Sequence, residues 1–186
     1  MSVQSTKVIT GPGTRWSYVH VWEPKPVGDG APKYSVSLII PKSDRKTVEA
    51  VRAAIKAAYE ENQSKLKGSG KTVPPLSSIK TPLRDGDAER PDDTAYANCW
   101  FINANSNLKP GIVDAERQPI IEREQVYSGC YGRASVSFFA YSVNGNRGIG
   151  ASINNLQKIR DGEPLGGRAS AEADFATAED EEDFLS

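Results

Sequence analysis

Residues 125–155 read QVYSGCYGRASVSFFAYSVNGNRGIGASINN and predict one long β-hairpin. Side chains on a strand alternate between its two faces. Small and apolar residues such as Val136 and Phe138 alternate here with polar and aromatic ones, so the first set suits a core. The Asn-Gly-Asn triplet at 144–146 supplies residues that tolerate positive φ in a tight turn. A strand of this length, with glycines that let it coil, is typical of a small closed barrel.

The second face of this predicted hairpin combines aromatic rings with positive charge. A hydrophobic core has no need of a guanidinium, whereas unpaired bases stack on rings and phosphates attract cations. We therefore interpret this face as one wall of a groove for single-stranded nucleic acid. An alternative stays open, in which some of the rings are core residues. The candidate binding residues of the hairpin are Tyr127, Tyr131, Arg133, Phe139, Tyr141 and Arg147.

A second cluster of rings lies near the start of the chain. Residues 14–23 alternate as a strand, with Trp16, Tyr18, His20 and Trp22 on one face. These rings either pack inside a barrel or extend a stacking surface, and Trp16 and Tyr18 lie beside a cation. We interpret His20 as a packed or surface histidine rather than a ligand or a base. The candidate binding residues of this strand are Arg15, Trp16 and Tyr18.

The remaining regular elements are shorter. Alternation over 32–40 and 97–105 predicts two half-buried strands, and 110–113 a third short one. Apolar residues at helical spacing after a cap at Ser43 or Asp44 predict one helix outside the sheet, over about 44–62. Residues 62–72 are interpreted as a flexible basic loop. The further candidate binding residues are Lys33, Trp100 and Lys109.

Charge is distributed unevenly along the 186 residues. Residues 171–186 hold seven acids and no Lys or Arg, so the rest of the chain carries 23 Lys and Arg against 17 acids. A basic body with an acidic end indicates a polyanionic ligand, although a soluble domain with a solvated end has the same composition. Regular structure is expected to end within the polar residues 157–167. We predict a domain over 1–167 and a flexible tail over 168–186.

The acidic tail is predicted to compete with nucleic acid for the basic body. Sixteen flexible residues span roughly 20–24 Å, so a tethered polyanion can reach back over a small domain at high effective concentration. Once displaced, its phenylalanines beside acids would attract partner proteins. A tail that only increases solubility is the alternative. The predicted partner-binding residues are Asp174, Phe175, Glu179, Asp180, Glu181, Glu182, Asp183 and Phe184.

Acidic residues at 85–93 raise an enzymatic alternative. Asp85, Asp87 and Glu89 have the spacing of a calcium loop, but Arg90 stands where that loop requires glycine and no closing glutamate follows, which excludes an EF-hand. A metal-dependent nuclease is the second hypothesis, and a protein-interaction or virion component is the third. We predict a non-enzymatic protein without metal or cofactor. The nuclease hypothesis would use Asp85, Asp87, Asp92 and Asp93.

The cysteines and the hydropathy pattern indicate the compartment. Cys99 and Cys130 lack metal-ligand spacing and lie in apolar strand patterns, so buried thiols are favoured over a disulfide. The sequence has neither a signal-peptide pattern nor an apolar run of membrane length. We therefore expect a soluble intracellular protein with no membrane partner. The sequence is compatible with a homodimer and does not determine the oligomeric state.

Several short motifs resemble those of the tailed-phage and prophage single-stranded DNA-binding proteins, in the same order between Arg15 and Gly167. That resemblance implies a mainly β fold with an OB-type five-stranded barrel, and a role in phage DNA replication, recombination and repair in the cytoplasm of the bacterial host. It also implies an acidic tail that regulates binding and recruits replication proteins, such as a polymerase, helicase or primase, or recombination proteins. The motifs are PKYSVSL (32–38), PKSD (41–44), TPLRDGD (81–87), RPDD (90–93), NANS (103–106), YSGCY (127–131) and GEPLGG (162–167).

Overall fold

A computed structural model describes residues 5–26, 30–67, 70, 72–143 and 145–165. Within these ranges the chain forms eight β-strands and three α-helices. The strands are β1 Lys7–Ile9, β2 Arg15–Lys25, β3 Lys33–Pro41, β4 Leu83–Asp85, β5 Cys99–Ser106, β6 Gly111–Val113, β7 Tyr131–Val143 and β8 Asn146–Arg160. The helices are α1 Arg45–Glu61, α2 Gln63–Lys67 and α3 Gly86–Glu89. The predicted tail over 168–186 lies outside the described residues.

Five of the strands close into a barrel. Following the hydrogen-bonded neighbours, β7 pairs with β2, β2 with β3, β3 with β5 and β5 with β8, and β8 pairs back with β7. Only the β5–β8 pair is parallel among these five. The short strands β1, β6 and β4 extend β7, β8 and β5 respectively. The predicted mainly β fold with an OB-type five-stranded barrel is confirmed.

The long hairpin is formed by β7 and β8, paired from Val143 opposite Asn146 to Tyr131 opposite Arg160. The predicted alternation holds along β7, where residues with small or apolar side chains face the core. One predicted boundary is wrong. The strand begins at Tyr131 rather than at 125, because Gly129 adopts φ 122° and turns the chain before it. At the other end β8 stays paired with β7 up to Arg160, so its end lies within the predicted range 157–167.

The predicted outer helix is confirmed as α1. The Asp44 side chain caps it by accepting a hydrogen bond from the Thr47 amide at 3.2 Å. Its apolar stripe, which includes Val51 and Ile55, packs on the barrel core. The predicted loop at 62–72 is wrong in its first part, because residues 63–67 form α2 and bury Leu66 completely. None of the described helices is both long and apolar enough to cross a bilayer.

A bulge interrupts β2 and changes which residues share a face. The pairing of β2 with β3 shifts register between Ser17 and His20, and Tyr18 has φ 47°. An inserted residue moves all later side chains to the opposite face. Trp16 is therefore fully buried, whereas Tyr18 is 51% exposed and Val21 enters the core instead. The predicted single face of four rings is wrong for this reason.

Both cysteines are free thiols, as predicted. Cys130 is buried, and Cys99 is half-buried in β5. Burial raises the pKa of both thiols, because it disfavours the charged thiolate.

Candidate nucleic-acid interface

The outer face of the barrel is polar across four strands. Residues directly opposite each other on paired strands share a face. Ser17 lies opposite Ser37, Ser37 opposite Asn103, and Asn105 opposite Ser152. Tyr96 covers the Ser17–Ser37 end, and its hydroxyl lies 3.0 Å from the Ser37 hydroxyl. Asn103, by contrast, is exposed, so the open part of this face begins at β5.

An open groove lies between β5 and the β7–β8 hairpin. Its volume is about 410 Å³. It brings two aromatic rings beside three cations and two side-chain amides, and Phe139 is 42% exposed there. We call it the main groove and define it by Lys33, Lys80, Arg84, Asn103, Asn105, Phe139 and Tyr141.

Both rings of the main groove lie across glycines of the neighbouring strand. Phe139 is paired with Gly150 and Tyr141 with Gly148. A Cβ at Gly150 would lie 2.7 Å from the Phe139 Cζ atom, and one at Gly148 would lie 2.8 Å from the Tyr141 hydroxyl. These glycines therefore leave the space that the rings occupy. The arrangement presents rings on the outer face, where a planar ligand can reach them.

The cations of the main groove differ in how they are held. Within the described part of the chain, Lys33 and Lys80 have no carboxylate within salt-bridge distance. Arg84 pairs with Glu89 at 3.1 Å, but both side chains are exposed, and such surface pairs are weak. Positive charge is therefore available for an anionic ligand. Asn103 and Asn105 lie on β5 rather than in a turn, so their amides face the same space.

A second aromatic cluster surrounds Arg90. Its guanidinium carbon lies 5.2, 5.0 and 5.5 Å from the ring centres of Tyr18, Tyr96 and Phe101. Its Nη1 donates a hydrogen bond to the Tyr18 hydroxyl at 3.3 Å. Because the bulge in β2 turns Tyr18 outward, this ring is exposed beside a fixed cation. Phe101 lies opposite Arg84, which links the cluster to the main groove.

A third aromatic group forms where the described chain ends. The guanidinium carbons of Arg15 and Arg160 lie 5.2 and 3.8 Å from the Tyr131 ring centre. Arg15 donates from Nε to the Gly129 carbonyl at 3.0 Å. The Leu165 amide donates to the Ser128 carbonyl at 2.8 Å. The predicted pair Arg15 and Tyr131 is thus together, but two guanidinium groups already stack on the ring.

Three predicted binding residues are not free rings on this face. Trp16 is fully buried and donates from Nε1 to the Gly132 carbonyl at 3.1 Å, so its selection as a stacking residue is wrong. The Trp100 ring turns to the core side of β5, where the Lys42 ammonium and the Arg52 guanidinium each lie 5.0 Å from its centre.

Tyr127 is the third of these rings. It precedes β7, and its hydroxyl lies 3.1 Å from an Asp161 carboxylate oxygen and 2.9 Å from the Gly162 carbonyl oxygen, which share its single proton. Burial raises the pKa of this phenol. These contacts fix the segment that follows β8 and give Tyr127 a structural role.

Three predicted cations lie away from the main groove. Lys109 has its ammonium 5.2 Å from the Trp22 ring centre, and neither residue lines the main groove. Arg147 is paired with Ser142, which alternates with Tyr141 and therefore points to the opposite face of the hairpin. Arg133 is exposed on the outer face of β7, but it lines a separate groove. Of the predicted residues, Lys33, Phe139 and Tyr141 meet in the main groove.

Three of the four acids of the nuclease hypothesis have structural partners. The Lys42 ammonium lies 2.8 Å from Asp85 and 2.9 Å from Asp87, and its hydrogen bonds lower the pKa of both carboxyls. Asp93 accepts a hydrogen bond from the Ala95 amide at 3.1 Å. Among the described residues, no group of three His, Cys, Asp or Glu is arranged to hold a metal ion.

Lys80, Arg84 and Arg90 were not predicted from the sequence. Arg84 lies in β4, whose three residues are too few to show a periodic pattern. Lys80 lies outside the named strands and meets the hairpin at an isolated bridge to Gly148. Pairing with distant strands is what brings these cations to the groove. The signal available in the sequence was their position relative to the family motifs. Arg84 lies within TPLRDGD, Arg90 begins RPDD, and Lys80 directly precedes TPLRDGD.

Comparison with known proteins identifies the family of this chain. A family model described as the Enterobacter phage Enc34 ssDNA-binding protein matches residues 6–185. The chain belongs to this family of phage single-stranded DNA-binding proteins. Putative protein p50 of Acyrthosiphon pisum secondary endosymbiont phage 1 is 34% identical over 180 residues, which cover 90% of this chain and 94% of the relative. The resemblance drawn from the motifs is confirmed.

Solved structures of phage single-stranded DNA-binding proteins share the fold. The bacteriophage Enc34 protein with a C-terminal truncation has a TM-score of 0.70 and 24% identity, covering 86% of this chain and 87% of its own. The Enc34 protein in complex with ssDNA has a TM-score of 0.67 and 26% identity, covering 86% and 88%. The bacteriophage T7 protein gp2.5 has a TM-score of 0.59 and 13% identity, covering 88% and 97%.

Proposed function

We propose that this protein binds single-stranded DNA without sequence preference. The observation that carries the proposal is the main groove, where the Phe139 and Tyr141 rings lie beside Lys33, Lys80 and Arg84. Membership of the family supports it, since the related Enc34 protein has been solved in complex with ssDNA. The protein would act as a non-enzymatic binding module in phage DNA replication, recombination and repair, in the cytoplasm of the infected host.

Binding in this groove would combine two physical terms. Each base that stacks on a ring contributes roughly 1–3 kcal/mol whatever its identity, because every base has a π-face. Each neutralised phosphate releases counterions, so log K falls with log salt at a slope of about −0.7 per phosphate for single strands. The Asn103 and Asn105 amides can donate to sugar or base oxygens without imposing a sequence.

We also infer a regulatory role for the acidic end of the chain. Leu165 packs on the outer cluster of Ile39, Tyr96 and Phe101, beside the exposed Tyr18 ring. The sequence that follows therefore starts on the same face as the proposed site, and it carries seven acids in its last sixteen residues. We propose a binding domain over 1–167 and a tail over 168–186 that competes with DNA and, once displaced, recruits replication or recombination proteins.

The main groove can be tested by removing two of its cations. We would measure fluorescence anisotropy of a labelled oligothymidine against salt for the natural protein and for a Lys80→Gln, Arg84→Gln variant. The variant should lose about 1.4 from the salt slope, at 0.7 per phosphate. A matched control replaces Arg45 and Lys56, which are exposed on α1, and should bind as the natural protein does.

Two outcomes would contradict binding of single-stranded DNA as the function. One is retention of the oligonucleotide without salt dependence, which a protein-interaction surface would give. The other is shortening of a labelled single strand by stoichiometric protein with magnesium, which a nuclease would give. Loss of affinity in the control as well as in the groove variant would show that charge alone, and not this groove, determines binding.

A further inference from the structure

A second cationic groove lies on the outer surface of the β7–β8 hairpin, between β1 and β6. It has a volume of about 260 Å³ and brings together Lys7, Arg117 and Arg133. None of the described residues that line it is acidic. Ser135 and Asn155 form part of its floor. These three cations come from a strand, a turn and another strand, so only the fold makes them neighbours.

The second groove and the main groove share one strand face. Arg133, Ser135, Ser137 and Phe139 alternate along β7 and therefore point to the same side. Phe139 lies four residues beyond Ser135, a distance of about 13 Å along a strand.

The side chains between the two grooves are small and polar. Ser137 is paired with Ser152 across the hairpin, and Asn154 donates to the Ser137 hydroxyl at 2.8 Å. These side chains are small enough for an extended chain to lie across them without displacing them. The hairpin therefore offers a continuous track from the rings of the main groove to the three cations.

The backbone at Arg117 gives a second, independent observation. Arg117 has φ 66° in the turn between Asp114 and Gln118, where the Arg117 amide donates to the Asp114 carbonyl at 3.0 Å. A three-residue hairpin loop of this kind usually places glycine at the left-handed position. A long side chain there costs stability, and strained positions often serve function. Here the strained residue supplies one of the three cations.

We propose that the second groove binds the phosphodiester backbone of a single strand that has left the main groove. This deepens the proposed function and rests on it. The strand stacks its bases on Phe139 and Tyr141, crosses the polar face of the hairpin, and places phosphates against Lys7, Arg117 and Arg133. The second groove thereby lengthens the DNA segment that one protein molecule covers.

The test compares two lengths of oligothymidine, about 6 nucleotides, near the lower end of the site sizes of OB folds, and about 20 nucleotides, beyond their upper end. The variant replaces Lys7, Arg117 and Arg133 by glutamine. We expect the 6-mer to bind within twofold of the natural protein. For the 20-mer we expect a tenfold or greater loss at low salt and a salt slope reduced by about 2, at 0.7 for each of three phosphates.

Two further variants separate an effect of the second groove from an effect of the main groove and from a general effect of surface charge. Lys80→Gln with Arg84→Gln should weaken both lengths, because it removes cations of the main groove. Replacing Arg45, Lys56 and Lys65, which are exposed on α1 and α2, should weaken neither. Equal losses of the second-groove variant at both lengths, or no loss at either, would overturn the proposal. If the natural protein binds neither oligonucleotide, the proposed function itself fails.

The acidic end of the same chain is the competing occupant of the second groove. We would therefore repeat the 20-mer titration with proteins that end at Gly167. The loss caused by the three glutamines should persist without residues 168–186. Disappearance of that loss on truncation would assign the groove to the tail and overturn its assignment to DNA.

Arg117 alone supplies a stricter test. Arg117→Gly relieves the left-handed strain and should raise the melting temperature, while it weakens binding of the 20-mer and lowers the salt slope by about 0.7. A purely structural residue would change stability without changing the slope. An unchanged slope together with a raised melting temperature would remove Arg117 from the DNA path.

Discussion

Gly150 determines where the Phe139 ring can lie, although it carries no side chain. The ring occupies the space that a Cβ at this position would take, at 2.7 Å from its Cζ atom. Gly150→Val should therefore push the ring off the strand and remove one stacking partner. We expect the affinity for oligothymidine to fall by about 1–3 kcal/mol, the value of one stacked base, with no change in the salt slope.

Anisotropy titrations at several salt concentrations would check this expectation. Gly13→Ala is the matched control, because a Cβ there meets only the Pro41 ring at 3.9 Å. Thermal melting of both variants shows whether the barrel stays folded. If Gly150→Val binds as tightly as the natural protein, the Phe139 ring does not take part in stacking.

At the level of single elements, α3 is held to the barrel through charge. Its cap residue Asp85 and its first-turn residue Asp87 both accept hydrogen bonds from Lys42, at 2.8 and 2.9 Å. Those hydrogen bonds lower the pKa of both carboxyls and raise the pKa of the ammonium. The cluster therefore binds the 85–89 segment, which precedes Arg90, to the end of β3.

The stability from this cluster should depend on pH in a defined window. A carboxyl whose pKa is lowered by folding contributes stability above its unfolded pKa of about 4, and loses it as pH falls through the folded pKa. An ammonium whose pKa is raised contributes below about 10.4, and loses it as pH rises through the folded pKa. We expect Lys42→Met to melt below the natural protein between these limits.

Melting temperatures measured from pH 2 to pH 11 would test the cluster. The two proteins should converge at low pH, where the carboxyls are protonated in both. Lys56→Met is a suitable control, because that side chain is exposed. Its ammonium lies as far as 4.0 Å from its i+4 partner Glu60, so the ion pair that is lost is weak. A difference between Lys42→Met and the natural protein that persists at low pH would instead indicate packing on the Trp100 ring.

At the scale of the whole molecule, charge is separated between the basic barrel and the acidic end. Removing 168–186 should tighten binding of short oligonucleotides, because a tethered polyanion no longer competes for the groove. The gain should be larger at low salt than at high salt, since salt screens that competition. Anisotropy with a short oligothymidine at two salt concentrations measures it, and equal affinities at low salt would contradict the competition.

A control for this truncation should keep the length of the chain and remove only its charge. Replacing the seven acids of 171–186 by asparagine and glutamine should reproduce the gain in affinity. If truncation tightens binding but neutralisation does not, the tail acts by steric exclusion. The two variants together therefore separate charge from bulk.

The sequence predicted the parts of this fold that depend on local periodicity. The alternation over β7 and the turn at 144–146 indicated the hairpin, and the helical spacing of Val48, Val51 and Ile55 indicated α1. The family motifs indicated the barrel type. Such patterns reflect the burial of neighbouring side chains, so they can be read without knowing which strands pair.

The candidate site was predicted only in part, because it depends on strand register and on pairing between distant segments. Phe139 and Tyr141 were correctly assigned to one face, but Trp16 was not, because the bulge at Tyr18 is invisible to simple alternation. Lys80 and Arg84 were missed, since they reach the groove through pairing partners distant in sequence.

Sequence alone predicts the hairpin, the outer helix, the free thiols and the acidic end, because each depends on composition or on neighbours along the chain. The three-dimensional fold was needed to show which rings face outward, which cations surround them, and that Lys7, Arg117 and Arg133 meet in one groove. A shared face depends on register across strands, and one inserted residue reverses it.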